Sequence, residues 1–593
     1  MGVSIPWHEG ERQIHALLRL PPEDNPTAPG LPAYYAGRIA ASSLIVLSAT
    51  DSEDRPWATV LGGERGCAGR LAPNVLGVRS KVSGEDPVLR ALFGGKEMVT
   101  PDEEGERKVG GLALDLLSRD RVKFAGRMLV GAAKGDKVRD VQMGIEVSES
   151  LGNCPKYINK RRFVPNDMAP AVESSSLPLS ERAVEIIRKA DLFFVASESG
   201  SMDANHRGGP PGFVRVVRND EGGVVLAYPE YSGNRLYQTL GNLKLNPAVG
   251  ITIPDFETSD ALYLTGTASI LHGPAAAAVM HHTTLALKIT VHAARHLSST
   301  LPFHAGSPPA YSPYNPPVRP LLSEKHLPYT RPSDSGTRTG MTARFVKREV
   351  LSPSIARVTF ELASESGGIP GWREGEAVTL DFSPELDNGY THMRDDDPQA
   401  LNDDYIRTFT VSSGPVPTGK KTELQITVRK KGPATGLLWK HNPRVELTLP
   451  VLGFGGTAGF LMDPDEAREK VFVAGGVGIT PLLAQAPRIL SSGNGLSVLW
   501  GVRGEDLSFV EDCLERIDGL AGVTTLFVTG GGEREAHDRV RALGARVEKR
   551  RMDEGDLGAY EGKTFRVCAG DEMTKAVLGW LRDEEVAYES FSY

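Results

Sequence analysis

Between positions 471 and 481 the chain reads Val471-Phe472-Val473-Ala474-Gly475-Gly476-Val477-Gly478-Ile479-Thr480-Pro481, a strand, a glycine turn and a helix start. Such a run cradles phosphate. Glycines let the backbone approach a pyrophosphate, and the first helical turn offers unpaired N–H groups at the positive end of the helix dipole. Upstream, Tyr405-Ile406-Arg407-Thr408-Phe409-Thr410 reads as a strand. Alternate side chains share a face, so Arg407 and Phe409 project together as a cation for a phosphate and an aromatic platform for a ring. The Thr410 hydroxyl can bond a ring nitrogen. In Val428-Arg429-Lys430-Lys431-Gly432-Pro433-Ala434-Thr435 a basic strand end, a glycine turn and a hydroxyl open a short apolar helix, a second anion site. Phe565-Arg566-Val567-Cys568-Ala569-Gly570-Asp571-Glu572-Met573 repeats the strand-turn-helix pattern. The chemistry these types can do is the binding of ring-bearing phosphate cofactors beside a thiol.

The elements that position these residues belong to more than one unit, since 593 residues suggest roughly four domains. Lysine and arginine total 67 against 75 acidic residues, so no broad basic field exists to attract nucleic acid or an anionic membrane. No run of about 20 apolar residues and no charged-apolar-small leader is seen, and a cytoplasmic protein is expected. The four cysteines, Cys67, Cys154, Cys513 and Cys568, show no Cys-x-x-Cys spacing, which excludes a plant-type iron–sulfur cluster within the chain. His281, His282, His292, His296 and His304 lack acidic or cysteine partners at ligand spacing, so no metal site is expected and they decorate a helix and strand edge. Asp395-Asp396-Asp397 reads as a solvated loop inserted before the strand at 405–410. Pro302, Pro308, Pro309, Pro313, Pro316, Pro317 and Pro320 mark a linker at 298–340.

Residues 342–593 resemble the ferredoxin–NADP reductase superfamily, an antiparallel barrel holding FAD followed by a nicotinamide-binding α/β domain. Arg407, Phe409 and Thr410 match its Arg-x-Tyr-Ser flavin strand with conservative changes. Gly476, Gly478 and Pro481 match its Gly-x-Gly-x-x-Pro loop, and Cys568-Ala569-Gly570 stands where the family has Cys-Gly-Pro. The resemblance implies that Cys568 lies by the nicotinamide and that Glu589 and Phe591 close the flavin face. Tyr593 is the alternative, because plant-type members end in a stacking tyrosine. Catalytic candidates are then Thr410, Cys568, Glu589 and Phe591. Candidates for binding FAD and NAD(P)H are Arg407, Thr408, Phe409, Thr410, Val428, Lys430, Gly432, Thr435, Gly475, Gly476, Gly478, Thr480, Pro481, Arg503, Gly570 and Met573. Arg503 suits a 2′-phosphate and Glu505 or Asp506 a free 2′-hydroxyl, which leaves NADH and NADPH both open.

In the first half, Arg207-Gly208-Gly209-Pro210-Pro211-Gly212-Phe213, Ser232-Gly233-Asn234 with Leu240-Gly241-Asn242-Leu243, and Ser312-Pro313-Tyr314-Asn315-Pro316-Pro317 resemble the FMN-binding split barrel of the pyridoxamine 5′-phosphate oxidase-like superfamily. Arg207, Ser232, Asn234, Arg235 and Gln238, on a turn and on a helix read at 234–245, would hold an FMN phosphate. The strand Leu44–Leu47, the run 51–59 and Gly62-Gly63 read as a diverged copy, with an unrelated β domain as the alternative. The fold expected is multidomain α+β and α/β. Its parts are a diverged split β-barrel (1–165), an FMN-type split β-barrel (175–297), the linker (298–340), a FAD-binding β-barrel (341–460) and a doubly wound parallel-sheet domain binding NAD(P) (465–593).

The function expected is an NAD(P)H-dependent flavin oxidoreductase passing electrons from NAD(P)H to FAD and on to FMN, or to a small-molecule or protein acceptor. No nucleic-acid or membrane partner is expected, and a homodimer is left open. The alternative is a single-flavin reductase whose first half is a binding or dimerisation module.

Overall fold

The computed structural model describes all residues except 1–4, 102–105, 153–155, 325–339, 365–368, 370, 415–420, 457–459, 467, 561, 583 and 591–593. Cys154, Phe591 and Tyr593 therefore lie outside the described residues. The chain divides into two compact units, one of residues 1–321 with 390–403 and the other of 322–389 with 404–593. No helix among the described residues is long and apolar enough to cross a membrane.

Unit 1 contains two large antiparallel sheets. The first is built on β1 (Leu44–Thr50), β2 (Pro56–Gly62), β3 (Ala68–Ala72), β4 (Val75–Ser83), β5 (Lys108–Asp115), β6 (Asp120–Gly135) and β7 (Val138–Gly152), in the spatial order β2-β1-β5-β6-β7-β4-β3. The second is built on β8 (Leu192–Ser199), β9 (Ser201–Gly208), β10 (Arg215–Asp220), β11 (Gly223–Pro229), β12 (Ala248–Asp255), β13 (Asp260–His272) and β14 (Leu285–Ser298), in the order β9-β8-β12-β13-β14-β11-β10. Adding seven to each label of the first order gives the second, so unit 1 is two copies of one topology. Gly62 ends β2 as Gly208 ends β9, the glycine correspondence legible in the sequence.

Local chemistry sets the helices between the strands. In α1 (Pro87–Phe93) the Asp86 carboxylate accepts from the N–H groups of Val88 and Leu89, both at 2.9 Å, and Pro87 takes the first turn where its missing N–H costs nothing. In α2 (Glu181–Lys189) the Ser180 hydroxyl accepts from Ala183 N–H. The helix read at 234–245 begins later, as α3 (Gln238–Leu245), because Arg235 (φ 60°) and Tyr237 (φ 56°) are left-handed and cannot continue a helix.

The two copies pack face to face through small residues. A Cβ at Gly110 would meet Ala204 N at 2.8 Å, and one at Gly250 would meet the Pro56 carbonyl oxygen at 2.4 Å. Ile45, Leu47 and Trp57 of the first copy share one core cluster with Phe194, Met202 and Tyr263 of the second.

Three sequence expectations need correction here. Residues 298–321 do not hang as a linker: 303–305 pair with 163–165, and Tyr314 and Leu321 are buried. Proline fixes φ and lacks N–H but does not prevent a segment from lying along a surface and burying its intervening apolar side chains. Asp395 is not simply solvated, since it accepts the Tyr314 hydroxyl and its segment 390–403 belongs to unit 1. Finally, among the described residues no antiparallel sheet of either unit is closed into a barrel by a strand ladder, the edges of the unit 2 sheet meeting through a single bridge only. The edge strands are short or bulged, with register shifts between Arg70 and Ala72 and between Val216 and Arg218.

Unit 2 holds two six-stranded sheets. The antiparallel one has β15 (Met341–Val350), β16 (Ile355–Ser364), β17 (Ala377–Asp381), β18 (Ile406–Thr410), β19 (Lys421–Arg429) and β20 (Thr448–Gly455), in the order β18-β17-β20-β15-β16-β19. A bridge between Val411 and Ile426 is what links its two edges. The parallel one has β21 (Lys470–Gly475), β22 (Leu496–Arg503), β23 (Thr524–Thr529), β24 (Arg546–Glu548), β25 (Thr564–Ala569) and β26 (Val586–Ser590), in the order β24-β23-β22-β21-β25-β26. Its central strands are continuous apolar runs, as burial on both faces requires.

Candidate functional site

The parallel sheet grows outward in both directions from β21, so the chain reverses its winding between β21 and β25. In open α/β sheets the crevice outside the carboxyl ends of the strands at such a reversal is where ligands bind. The glycine turn sits there. Gly476 is left-handed (φ 55°), and its carbonyl accepts the Trp500 indole N–H at 2.8 Å. Gly478 lies against the end of β25 so closely that a Cβ would stand 1.9 Å from the Cys568 carbonyl oxygen, and one at Gly475 would stand 2.9 Å from Ala569 Cβ and 3.1 Å from Met573 Sδ. Helix α4 (Pro433–Lys440) precedes this sheet, and α5 (Thr480–Ser491) follows the turn with Thr480 buried and Pro481 in its first turn. Gly475, Gly476, Gly478, Thr480, Pro481, Cys568 and Met573 thus meet at one edge, with Gly570 as the cap of α6 (Asp571–Trp580).

Cys568 and Glu589 are register partners on β25 and β26. Both are buried. Burial, and then the neighbouring Glu589 carboxyl, push the Cys568 thiol well above its ordinary value, so the group at this position is a neutral thiol.

On β18 the Thr408 and Thr379 hydroxyls are 3.0 Å apart, and Arg407 donates to the Ile406 carbonyl and lies 3.7 Å from Asp404. Phe409 packs edge-on to Phe382 in the sheet's core, so its ring faces protein rather than an open cleft. Thr410 is 5% exposed, and its hydroxyl has no hydrogen-bond partner among the described residues. A buried hydroxyl left unpaired costs about 1–3 kcal/mol. That orphan fits the flavin expected on this strand, whose ring presents nitrogen and oxygen atoms to pair with it.

The second anion site changes on inspection. The Thr435 hydroxyl accepts from Lys431 N–H (2.9 Å) and Gly432 N–H (3.2 Å) and donates to the Gly432 carbonyl, so it caps its own helix. Val428 is buried and Lys430 lies over the Trp439 ring at 5.7 Å. The residue that reaches the glycine turn is Arg429, which the sequence reading passed over. Its guanidinium lies 3.1 Å from where a Gly476 Cβ would stand and donates to Ser354 (2.5 Å) and Asp506 (2.6 Å). Asp506 is fully buried and also accepts from the Ser352 hydroxyl at 2.7 Å. It is therefore committed to structure and is not a ribose ligand, whereas Arg503 and Glu505 are exposed and 3.4 Å apart.

In unit 1, Arg207, Asn234, Arg235 and Gln238 line one cavity of about 80 Å³. Ser232 adjoins it through the turn. Each predicted phosphate ligand already has a partner. Arg207 pairs with Glu230 at 2.8 Å, and Arg235 stacks on the Tyr390 ring at 3.5 Å. Gln238 accepts Lys123 Nζ at 2.6 Å, Asn234 accepts Leu236 N–H, and Ser232 N–H donates to Asn402. Small-molecule sites run to about 300–1,000 Å³. The cavity does not fit FMN.

Among the described residues no group of three or more potential ligands gathers to hold a metal ion, and His296 pairs with Asp260 at 3.3 Å.

No family model matches the chain. Over 149 residues, 25% of this chain and 36% of that protein, it is 28% identical to the stachydrine N-demethylase reductase subunit of Rhizobium meliloti. Over 102 residues, 17% of this chain and 24% of that protein, it is 35% identical to a flavohemoprotein of Candida albicans. The matches thus span about a third and about a quarter of these two curated relatives. Among solved structures, the flavohem-like FAD/NAD binding domain of nitric oxide dioxygenase from Vibrio cholerae is 18% identical, with 43% of this chain and 99% of that chain covered and a TM-score of 0.31. Phthalate dioxygenase reductase is 16% identical over 44% of this chain and 70% of that one, also with a TM-score of 0.31. Scores this low leave the fold to be read from the strand orders themselves.

Proposed function

We propose that the chain is an NAD(P)H-dependent flavin oxidoreductase that holds FAD and the nicotinamide cofactor in unit 2 and passes electrons to a small-molecule or protein acceptor. The observation that carries the reading is the contact of the glycine turn with the Cys568 carbonyl at the winding reversal of the parallel sheet. The names of the two curated relatives, a reductase subunit and a flavohemoprotein, agree with it.

FAD, when bound, supplies a two-electron acceptor for reduced nicotinamide and a donor to the next acceptor. The chain's own part is positional. The Thr410 hydroxyl holds a ring heteroatom, and the turn at Gly475, Gly476 and Gly478 brings backbone N–H groups to a pyrophosphate. Arg429, fixed by Asp506 and Ser354, sets a guanidinium donor beside that turn. The neutral Cys568 thiol gives the nicotinamide an uncharged wall and keeps water out. Exposed Arg503 and Glu505 sit at the end of β22, where the two adenosine riboses are told apart.

The small cavity of unit 1 favours the single-flavin form of this reading over a relay from FAD to FMN. We further propose that unit 1 is a fused pair of copies of one β fold serving as a binding module, on the strength of the shared strand order. The test is the flavin released on denaturation, with reduction by NADH and NADPH followed by stopped flow. FAD near one equivalent, without uptake of added FMN, is the expected result. Equal FAD and FMN would overturn the single-flavin form, and absence of FAD would overturn the whole reading.

A further inference from the structure

The unit 1 cavity is built around groups whose hydrogen bonds are unfinished. His206 is 5% exposed, and its Nδ1 faces the Arg121 guanidinium. A guanidinium has only donors, so Nδ1 accepts and the ring proton sits on Nε2. That Nε2–H has no partner among the described residues. Tyr231 is 8% exposed, and its hydroxyl is likewise without a partner. Both residues line the same cavity. Two buried donors left unmade carry their full desolvation cost, so an occupant that presents acceptors is favoured.

The charge of the walls narrows the occupant further. Arg121, Lys156, Arg207 and Arg235 line the cavity against one carboxylate, Glu230, which Arg207 already engages. With four cationic side chains and one carboxylate in the lining, a negatively charged acceptor suits the cavity better than a neutral one such as water. The volume, about 80 Å³, sets an upper size far below that of a flavin.

The segment 390–403 holds the rim in place. The Tyr390 hydroxyl donates to the Gly233 carbonyl at 2.9 Å while its ring covers Arg235. Asn402 accepts Ser232 N–H at 3.0 Å and donates to the Tyr157 hydroxyl at 2.9 Å. The rim turn is thereby pinned in its left-handed conformation at Arg235 and Tyr237.

We infer that this cavity is a binding site for a small free oxyanion, of the size of nitrate or inorganic phosphate, held by the His206 Nε2–H, the Tyr231 hydroxyl and the surrounding guanidinium groups. The site stands apart from the reductase reading and does not depend on it.

The experiment is titration calorimetry of the full chain with inorganic phosphate and with nitrate, in chloride-free buffer at fixed ionic strength. FAD content is measured on the same samples, so that failure of this site and failure of the reductase reading are told apart. Saturable binding of at least one of the two ions is expected. Tyr231→Phe, which removes one oxygen atom and leaves the ring packing, is expected to weaken it about tenfold, since hydrogen bonds to charged groups carry that order of effect. His206→Gln is expected to weaken it similarly. No heat from either ion up to the tens-of-millimolar range would overturn the inference, as would Tyr231→Phe and His206→Gln proteins that bind the ion as the parent does. Displacement of the bound ion by FMN at micromolar concentration would assign the anion to a flavin phosphate and overturn the free-ion reading.

Discussion

Thr410→Val separates a residue kept for a ligand from one kept for the fold. The hydroxyl is buried and unpaired in the ligand-free chain, and valine has the same branched shape without the polar atom. Removing an unpaired buried hydroxyl recovers its desolvation cost, about 1–3 kcal/mol, against a packing change of under about 1 kcal/mol for so close a shape. The flavin-free variant is therefore expected to be more stable than the flavin-free parent by about 1–2 kcal/mol. The flavin-loaded variant loses one hydrogen bond, about 0.5–1.5 kcal/mol, and with the gain of the flavin-free form the hold on FAD weakens by about 1.5–3.5 kcal/mol, roughly ten- to a few-hundredfold. The assay pairs urea unfolding of both stripped proteins with titration of FAD by fluorescence quenching. The reasoning requires opposite signs from the two measurements. A variant that is less stable without flavin, or that binds FAD as tightly as the parent, refutes it.

Gly478→Ala places a Cβ 1.9 Å from the Cys568 carbonyl oxygen and is expected to destabilise unit 2 by about 1–3 kcal/mol and raise the nicotinamide KM. Urea unfolding and steady-state kinetics check both. Cys568→Ser is expected to keep FAD but slow flavin reduction, on the order of ten- to a hundredfold, and an unchanged stopped-flow rate sinks the role given to it. Burial raises the thiols of Cys67, Cys513 and Cys568 alike, so the native chain is expected to take up no iodoacetamide at these three positions at pH 8. Mass spectrometry reads that directly. Glu11 is buried and its carboxyl is pushed up from 4.5 to about 7, chiefly by desolvation. The folded state thus binds the proton more tightly than the unfolded one, and stability falls as pH rises between those two values. Glu11→Gln should slow hydrogen exchange of the helix Glu9–Leu17 roughly 300-fold at pH 8 and only roughly fourfold at pH 5, and equal ratios at the two pH values refute the burial argument.

What the sequence discloses here follows the range of the contacts involved. The glycine turn, the capped helix at Asp86 and the alternating strands are set by neighbours within a few residues, and each is readable from those neighbours. The Asp506 network is different, since Asp506 is joined to Arg429, 77 positions before it, and to Ser352 and Ser354, 154 and 152 positions before it. Three basic residues in a row, Arg429-Lys430-Lys431, give no local sign of which one turns inward. Thr435 misleads for a related reason. A hydroxyl three positions after a glycine turn serves a phosphate or its own helix cap equally well, and only the distances to Lys431 and Gly432 decide for the cap. The proline-rich stretch shows the limit of composition. Proline density records a chain that makes few backbone hydrogen bonds, and Tyr314 and Leu321 bury themselves without needing many.

The two units are legible as sites through the same physical sign, a polar atom that folding buries and does not pair. Most buried polar groups in a native chain find partners, so one that does not asks for a ligand or a water. In unit 2 the sign is the Thr410 hydroxyl, on the strand read from sequence as the flavin strand, and it strengthens that reading. In unit 1 it is His206 and Tyr231, neither of which the FMN reading had chosen, while the residues it had chosen are paired with Glu230, Tyr390, Lys123 and Asn402. A resemblance carries a family's ligand positions onto a chain, but the hydrogen-bond ledger of the chain itself reports which positions are still open. By that measure the open hydroxyl in unit 2 supports the proposed flavin site, and the open groups in unit 1 support the proposed anion site.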